Sequence, residues 1–190
     1  MEAKRQALAA LILLFFVPIG TASALETRGL IKAGFDFGGD TLQRVTFSDN
    51  TTETIKANDG FYVGGGFAFV PDSLNLEMHL TAAWKYTGVT ASNGEITFTR
   101  FPIEALGFFI ADPFRFGGGL IYHLNPTLKR SGAVSGSDVD YDNAPGMVLQ
   151  VDYRISENIG AGLRYTFLEY EQGSRSIRAN GAGVAISGAF

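Results

Sequence analysis

Leu74-Asn75-Leu76-Glu77-Met78-His79-Leu80-Thr81-Ala82-Ala83-Trp84-Lys85-Tyr86-Thr87 alternates between two chemical faces without a break. Leu74, Leu76, Met78, Leu80, Ala82, Trp84 and Tyr86 form one face; Asn75, Glu77, His79, Thr81, Ala83, Lys85 and Thr87 form the other. Side chains repeat with period two only on an extended chain, so the stretch reads as a β-strand. Strands of globular proteins usually run about five or six residues. A strand that crosses a bilayer at a tilt needs about nine to eleven.

The same reading extends both ways. Ile31, Ala33, Phe35 and Phe37 oppose Lys32, Gly34 and Asp36, and Phe61, Val63, Phe67 and Phe69 oppose Tyr62, Gly64, Gly66 and Ala68. Residues 96–110 alternate with a phase slip near Arg100, which predicts a bulge there. Residues 114–124, 147–155, 159–167 and 182–190 complete a set of eight strands. The connections fall into two classes. Val70-Pro71-Asp72-Ser73, Ala111-Asp112-Pro113 and Ser156-Glu157-Asn158 are short, whereas residues 38–59, 88–94, 125–144 and 169–178 are polar and mostly longer. Short turns on one side and long loops on the other are the sidedness of a membrane-spanning barrel. A ten-stranded count would need residues 42–47 and 54–58 to pair within the membrane; they read better as extensions of the first two strands beyond it.

Alternation alone does not say which face turns inward, because a soluble barrel keeps its apolar face inside. Three features favour the inverted arrangement. Phe61, Trp84, Tyr86, Phe101 and Phe167 gather at the loop ends of the apolar face, and Phe69, Phe109, Phe114, Tyr153 and Phe190 at the turn ends, as a bilayer with two interfaces demands. Glycine recurs on the other face, where a narrow barrel leaves little room. That face also carries the charges, each of which would cost about 2–4 kcal/mol if turned to lipid at the midplane.

The N-terminus reads as an export address. Lys4 and Arg5 precede an apolar run over residues 8–20, and Ala22-Ser23-Ala24 supplies the small residues of a cleavage site. Thirteen apolar residues at about 1.5 Å rise reach roughly 20 Å, short of a roughly 30 Å hydrocarbon core. Residues 1–24 are therefore expected to be a cleaved signal peptide, and residues 25–190 a single barrel domain. The formal net charge of −4 gives no reason to expect nucleic acid as a partner, and with no cysteine the chain carries no disulfide or thiol chemistry.

Together the export address, eight alternating strands, sided loops and terminal aromatic resemble the small bacterial outer-membrane β-barrels of the OmpA/OmpX type. The resemblance covers residues 25–190 and is most recognisable in Gly162-Leu163-Arg164-Tyr165 and in the last strand, Gly181 to Phe190. It implies an all-β, eight-stranded antiparallel up-and-down transmembrane barrel in the outer membrane of a Gram-negative envelope, with lipid and lipopolysaccharide around it. It also implies insertion by the barrel assembly machinery, which reads Phe190 as an assembly signal. Gly188 departs from the pattern, since the family usually has a larger apolar or aromatic residue there.

Chemistry is expected mainly in the lumen. The inward cations Lys32, Lys85, Arg100, Arg115, Arg154 and Arg164 face Asp36, Glu77, Glu104 and Asp152, with His79 and His123 among them. Unpaired buried charge is expensive, so these groups should neutralise one another and plug a barrel barely wide enough for its own side chains. No catalytic residue, cofactor or metal is assigned. Gly64-Gly65-Gly66 and Gly117-Gly118-Gly119 lie inside strands and lack the helix and lysine of a phosphate loop. Asp138-Val139-Asp140-Tyr141-Asp142 begins like a calcium loop but continues with Asn143, and ends on Leu149 where glutamate is required. Family members that modify lipid A use histidine with serine, and the deacylase places that serine two residues after the histidine. His123 is followed there by Asn125. The expected role is structural and surface-interacting. A lipid-modifying enzyme using His79 or His123, or a narrow porin for small polar solutes, are the alternatives.

Overall fold

The computed structural model describes residues 25–46, 50–72, 74–91, 94–132 and 136–190. Residues 1–24, where the signal peptide was expected, lie outside them. Twelve strands follow in order: β1 Leu25–Gly38, β2 Thr41–Thr46, β3 Thr52–Lys56, β4 Gly60–Pro71, β5 Leu76–Ala91, β6 Gly94–Ala111, β7 Phe114–Gly132, β8 Val139–Asp140, β9 Ala144–Arg154, β10 Ile159–Gln172, β11 Arg175–Arg178 and β12 Gly181–Ala189.

Eight of them close a ring. β1 pairs with β4, β4 with β5, β5 with β6, β6 with β7, β7 with β9, β9 with β10, and β10 with β12, every pairing antiparallel. β12 then returns to β1 through Ile31↔Gly188, Ala33↔Ile186 and Phe35↔Val184. Closure satisfies every ladder and leaves no edge, the condition for placing strands in lipid. Outward rows such as Met147, Leu149, Val151 and Tyr153 on β9 are exposed, while Val148, Gln150 and Asp152 between them are buried. The apolar band is thus on the outside, as expected for a barrel whose solvent is hydrocarbon. Both aromatic groups lie on that outer surface; Phe61, Trp84, Phe101, Phe109, Phe114, Phe167 and Phe190 are exposed.

Three differences from the sequence reading have physical causes. First, the bulge sits on β7 rather than at Arg100. β6 keeps one phase, with Ile96, Phe98, Arg100, Glu104, Leu106 and Phe108 all buried inside. The register between β6 and β7 shifts between Thr99 and Phe101, and the extra residue lies at Asn125-Pro126, where Asn125 adopts φ 48°. The apparent slip arose because apolar side chains enter the lumen at both ends of β6. Second, β2 and β3 extend neither β1 nor β4. They form a separate two-stranded hairpin, cut off from β1 where Gly38 and Gly39 take φ 122° and 83°. Third, the long connections are largely strand. β6 and β7 have 18 and 19 residues, about twice what a crossing needs, so both project well beyond the band on the loop side.

These projections enclose an apolar cluster. Ile55 and Ala57 from β3 and its C-terminal end, Ile96 and Phe98 from β6, Leu128 from β7, Tyr141, Tyr170 and Ala179 are buried together, with Leu42, Val45, Val139 and Ile177 packed against them. It forms a folded cap over the loop end of the barrel.

Candidate functional site

The lumen holds two charge clusters, and glycine makes room for both. At Gly117 a Cβ would collide with the ring of Phe108, its cross-strand partner. The Phe108 ring occupies that slot and carries the Arg115 guanidinium at 4.8 Å.

In the cluster nearer the turns, Arg115 donates through Nε to Asp152 (2.8 Å), through Nη1 to both Glu77 oxygens (3.1 Å each) and through Nη2 to Ser187 Oγ (2.6 Å). His79 Nε2 meets Glu77 Oε1 at 2.7 Å, its ring 4.8 Å from that of Phe108. In the cluster nearer the loops, Glu104 bridges Lys32 and Arg164, whose Nη2 donates at 2.5 Å. Arg164 also donates to Tyr62 Oη (3.0 Å) and lies 3.7 Å from Asp36. Lys85 donates to Asp36 (2.6 Å) and to Asn58 Oδ1 (3.0 Å).

Three of the twelve expected lumen residues fall outside this pairing. Arg154 lies at the turn-side rim, apart from the buried clusters, where it pairs with Asp112; its side chain is 18% exposed and that of Asp112 75%. β9 ends there. Arg100 is fully buried but meets no carboxylate; its Nη2 donates to the backbone oxygen of Asp59 (2.5 Å) and its guanidinium lies 4.4 Å from the Phe98 ring centre. His123, also fully buried, hydrogen-bonds through Nδ1 to Tyr170 Oη (2.5 Å). Tyr62, Gln150, Ser187, Asn58 and Tyr170 add further hydrogen bonds to these groups and are not among the site residues that the sequence suggests. Tyr62, Gln150 and Ser187 have inward parity in the sequence, but as neutral side chains they carry no charge to mark them.

Below the charges, a vestibule of about 320 Å³ opens on the turn side, lined by Arg28, Glu77, Asp112, Arg154 and Glu157 among others. At its rim the Arg28 guanidinium hydrogen-bonds Glu26 (2.7 Å). Above them the loops fasten to one another. Asp40 exchanges backbone and side-chain hydrogen bonds with Arg178 (2.7 and 2.9 Å), Asp142 donates to the Glu171 carbonyl (2.9 Å), and Arg130 reaches Gln43 (3.0 Å). The acidic run of the third long loop is dispersed: Asp138 accepts from the Arg130 amide, Asp140 from Thr127, and Tyr141 turns into the cap. Among the described residues no group of three or more His, Asp or Glu side chains could hold a metal ion.

Phe190 closes the ring as an extension of β12, exchanging both backbone hydrogen bonds with Gly29 (2.8 and 2.9 Å). Its ring lies across Gly29, where a Cβ would stand within 2.7 Å of it. Gly188 faces outward with nothing near its Cβ position, an open notch in the same row.

No protein-family model matches the chain, and no curated protein does. Solved structures do. The attachment invasion locus protein Ail of Yersinia pestis is 10% identical, with 88% of this chain and 99% of that one aligned at a TM-score of 0.53. Neisserial surface protein A is 13% identical over 88% and 99% of the two chains, at 0.45. At this identity the Ail match speaks for the fold alone. With the closed ring, the outward apolar band and the sided connections, it follows that the chain has the fold of the small outer-membrane β-barrels, eight antiparallel transmembrane strands joined by short turns and long loops.

Proposed function

We propose that the protein is a non-conducting surface platform of a Gram-negative outer membrane, in which the barrel is the anchor and the loop-side cap is the working part. The observation that carries this reading is the packing of the lumen. Lys32, Asp36, Lys85, Glu104, Arg115, Asp152 and Arg164 are buried in mutual ion pairs, and the cap closes over them. A solute would have to break several charge-assisted hydrogen bonds to pass. The loops fasten to one another into a defined surface, with a groove of about 530 Å³ lined by Asp40, Arg130, Tyr141 and Arg175 among others. On this reading lipopolysaccharide surrounds the band, and the assembly machinery reads the Phe190 end.

Planar bilayers test the reading. Reconstituted protein should leave the conductance at that of the bare membrane, and large, steady channels would overturn it in favour of the porin. The lipid-modifying alternative has less support, because the partners of His79 and His123 are Glu77 and Tyr170 rather than a serine nucleophile. Lipid A mass spectra with and without the protein should be identical.

A further inference from the structure

The loop-side half of the lumen is out of charge balance. Lys32, Lys85, Arg100 and Arg164 are all buried there, against two buried carboxylates, Asp36 and Glu104, with the half-buried Asp59 near Arg100. Each carboxylate is already shared, Asp36 between Lys85 and Arg164, and Glu104 between Lys32 and Arg164. Lys85 and Arg100 stand directly opposite one another in the β5–β6 register, a like-charge pair that costs stability even on an open sheet. Lys85 escapes toward Asp36. Arg100 has the Asp59 carbonyl, the Phe98 ring and the neighbouring Tyr170 hydroxyl but no carboxylate in ion-pair contact, and its Nε and Nη1 have no hydrogen-bond partner of good geometry among the described residues.

His123 Nε2, fully buried, is unpartnered as well. The two sites share a neighbour, since Tyr170 hydrogen-bonds His123 and its ring packs 5.8 Å from that of Phe98, on which Arg100 lies. Guanidinium nitrogens are donors only, so what completes them must accept hydrogen bonds. A water would satisfy the donors and leave the charge uncompensated; an anion does both.

We infer that the lumen binds one small monovalent anion of the halide class, anchored on Arg100 Nε and Nη1 beside His123 and beneath the cap. The surroundings are fully buried side chains, which favours an ion that sheds its water cheaply over sulfate or phosphate. The anion is a structural partner of the barrel wall, like a paired carboxylate that the chain does not itself supply.

The test uses the mature chain refolded in micelles. Urea unfolding is followed in chloride, bromide and gluconate at one ionic strength, for wild type, Arg100→Met and Lys129→Met, the last removing an exposed cation. The wild-type midpoint should rise with halide concentration, Lys129→Met should keep that rise, and Arg100→Met should lose it. Crystals of wild type grown in bromide should show an anomalous peak within hydrogen-bonding distance of the Arg100 guanidinium, which decides the matter if Arg100→Met does not fold. A halide-independent wild-type midpoint, an unchanged halide response in Arg100→Met, or no bromide at Arg100 would each overturn the inference.

Discussion

Glu104→Gln keeps the volume of the side chain and removes its charge. Glu104 Oε1 accepts from Arg164 Nη2 at 2.5 Å and Oε2 pairs with Lys32, all three groups being buried. Stranding one member of a buried ion pair costs about 3–5 kcal/mol. Arg164 retains Asp36 and the Tyr62 hydroxyl, so the lower end, about 3 kcal/mol, is expected here. At a slope of about 2 kcal/mol per molar urea, that moves the unfolding midpoint by about 1.5 M. Trp84, the only tryptophan, stands on the outer surface and reports unfolding by fluorescence. Asp112→Asn at the exposed rim pair should cost less than about 1 kcal/mol. The double variant Lys32→Met/Glu104→Gln should recover part of the loss, because it removes the ammonium that Glu104→Gln leaves alone. If Glu104→Gln moved the midpoint no further than Asp112→Asn, the lumen pairing would not be a source of stability and the reasoning would fail.

Glycines on the two faces should behave oppositely. Gly117→Val drives a side chain into the Phe108 ring and should cost about 1–3 kcal/mol in the same urea assay, whereas Gly188→Val enters open space and should leave the midpoint unchanged. Leu163 is 69% exposed on β10 and midway along residues 159–167, the stretch assigned to the crossing, so Leu163→Lys should destabilise the protein in bilayers by about 2–4 kcal/mol. A neutral result there would mean that this position does not face lipid.

The architecture was legible because period two is imposed on every crossing strand by two contrasting solvents. Leu74 to Thr87 shows it openly; from Leu76, where β5 begins, its outward and inward residues are those the alternation assigns, while Leu74 and the exposed Asn75 belong to the turn. What alternation could not disclose is the apolar wall inside. Phe98, Leu106, Phe108 and Ile121 point inward on β6 and β7, where the interior is protein core rather than water, so polarity ceases to mark the inside. The misplaced bulge has that origin. The pairing scheme was only partly legible for a related reason: parity shows which charges share the lumen, while strand tilt and register decide which ones meet. Arg100 and Arg154 share inward parity with Arg164, yet only Arg164 sits level with two carboxylates. The loops read as polar connections because their polar residues dominate the composition, while the cap depends on scattered Leu42, Val45, Ile55 and Ile177, each unremarkable in sequence.

The apolar face of the eight-stranded ring meets lipid while its charged face fills the lumen. The chain has no cysteine, so single cysteines can be placed in turn at residues 146–154 along β9 and labelled with a fluorophore in a bilayer. Quenching by brominated acyl chains should be strong at Met147, Leu149, Val151 and Tyr153, and weak at Val148, Gln150 and Asp152. The opposite phase, or quenching without a period of two, would contradict the account.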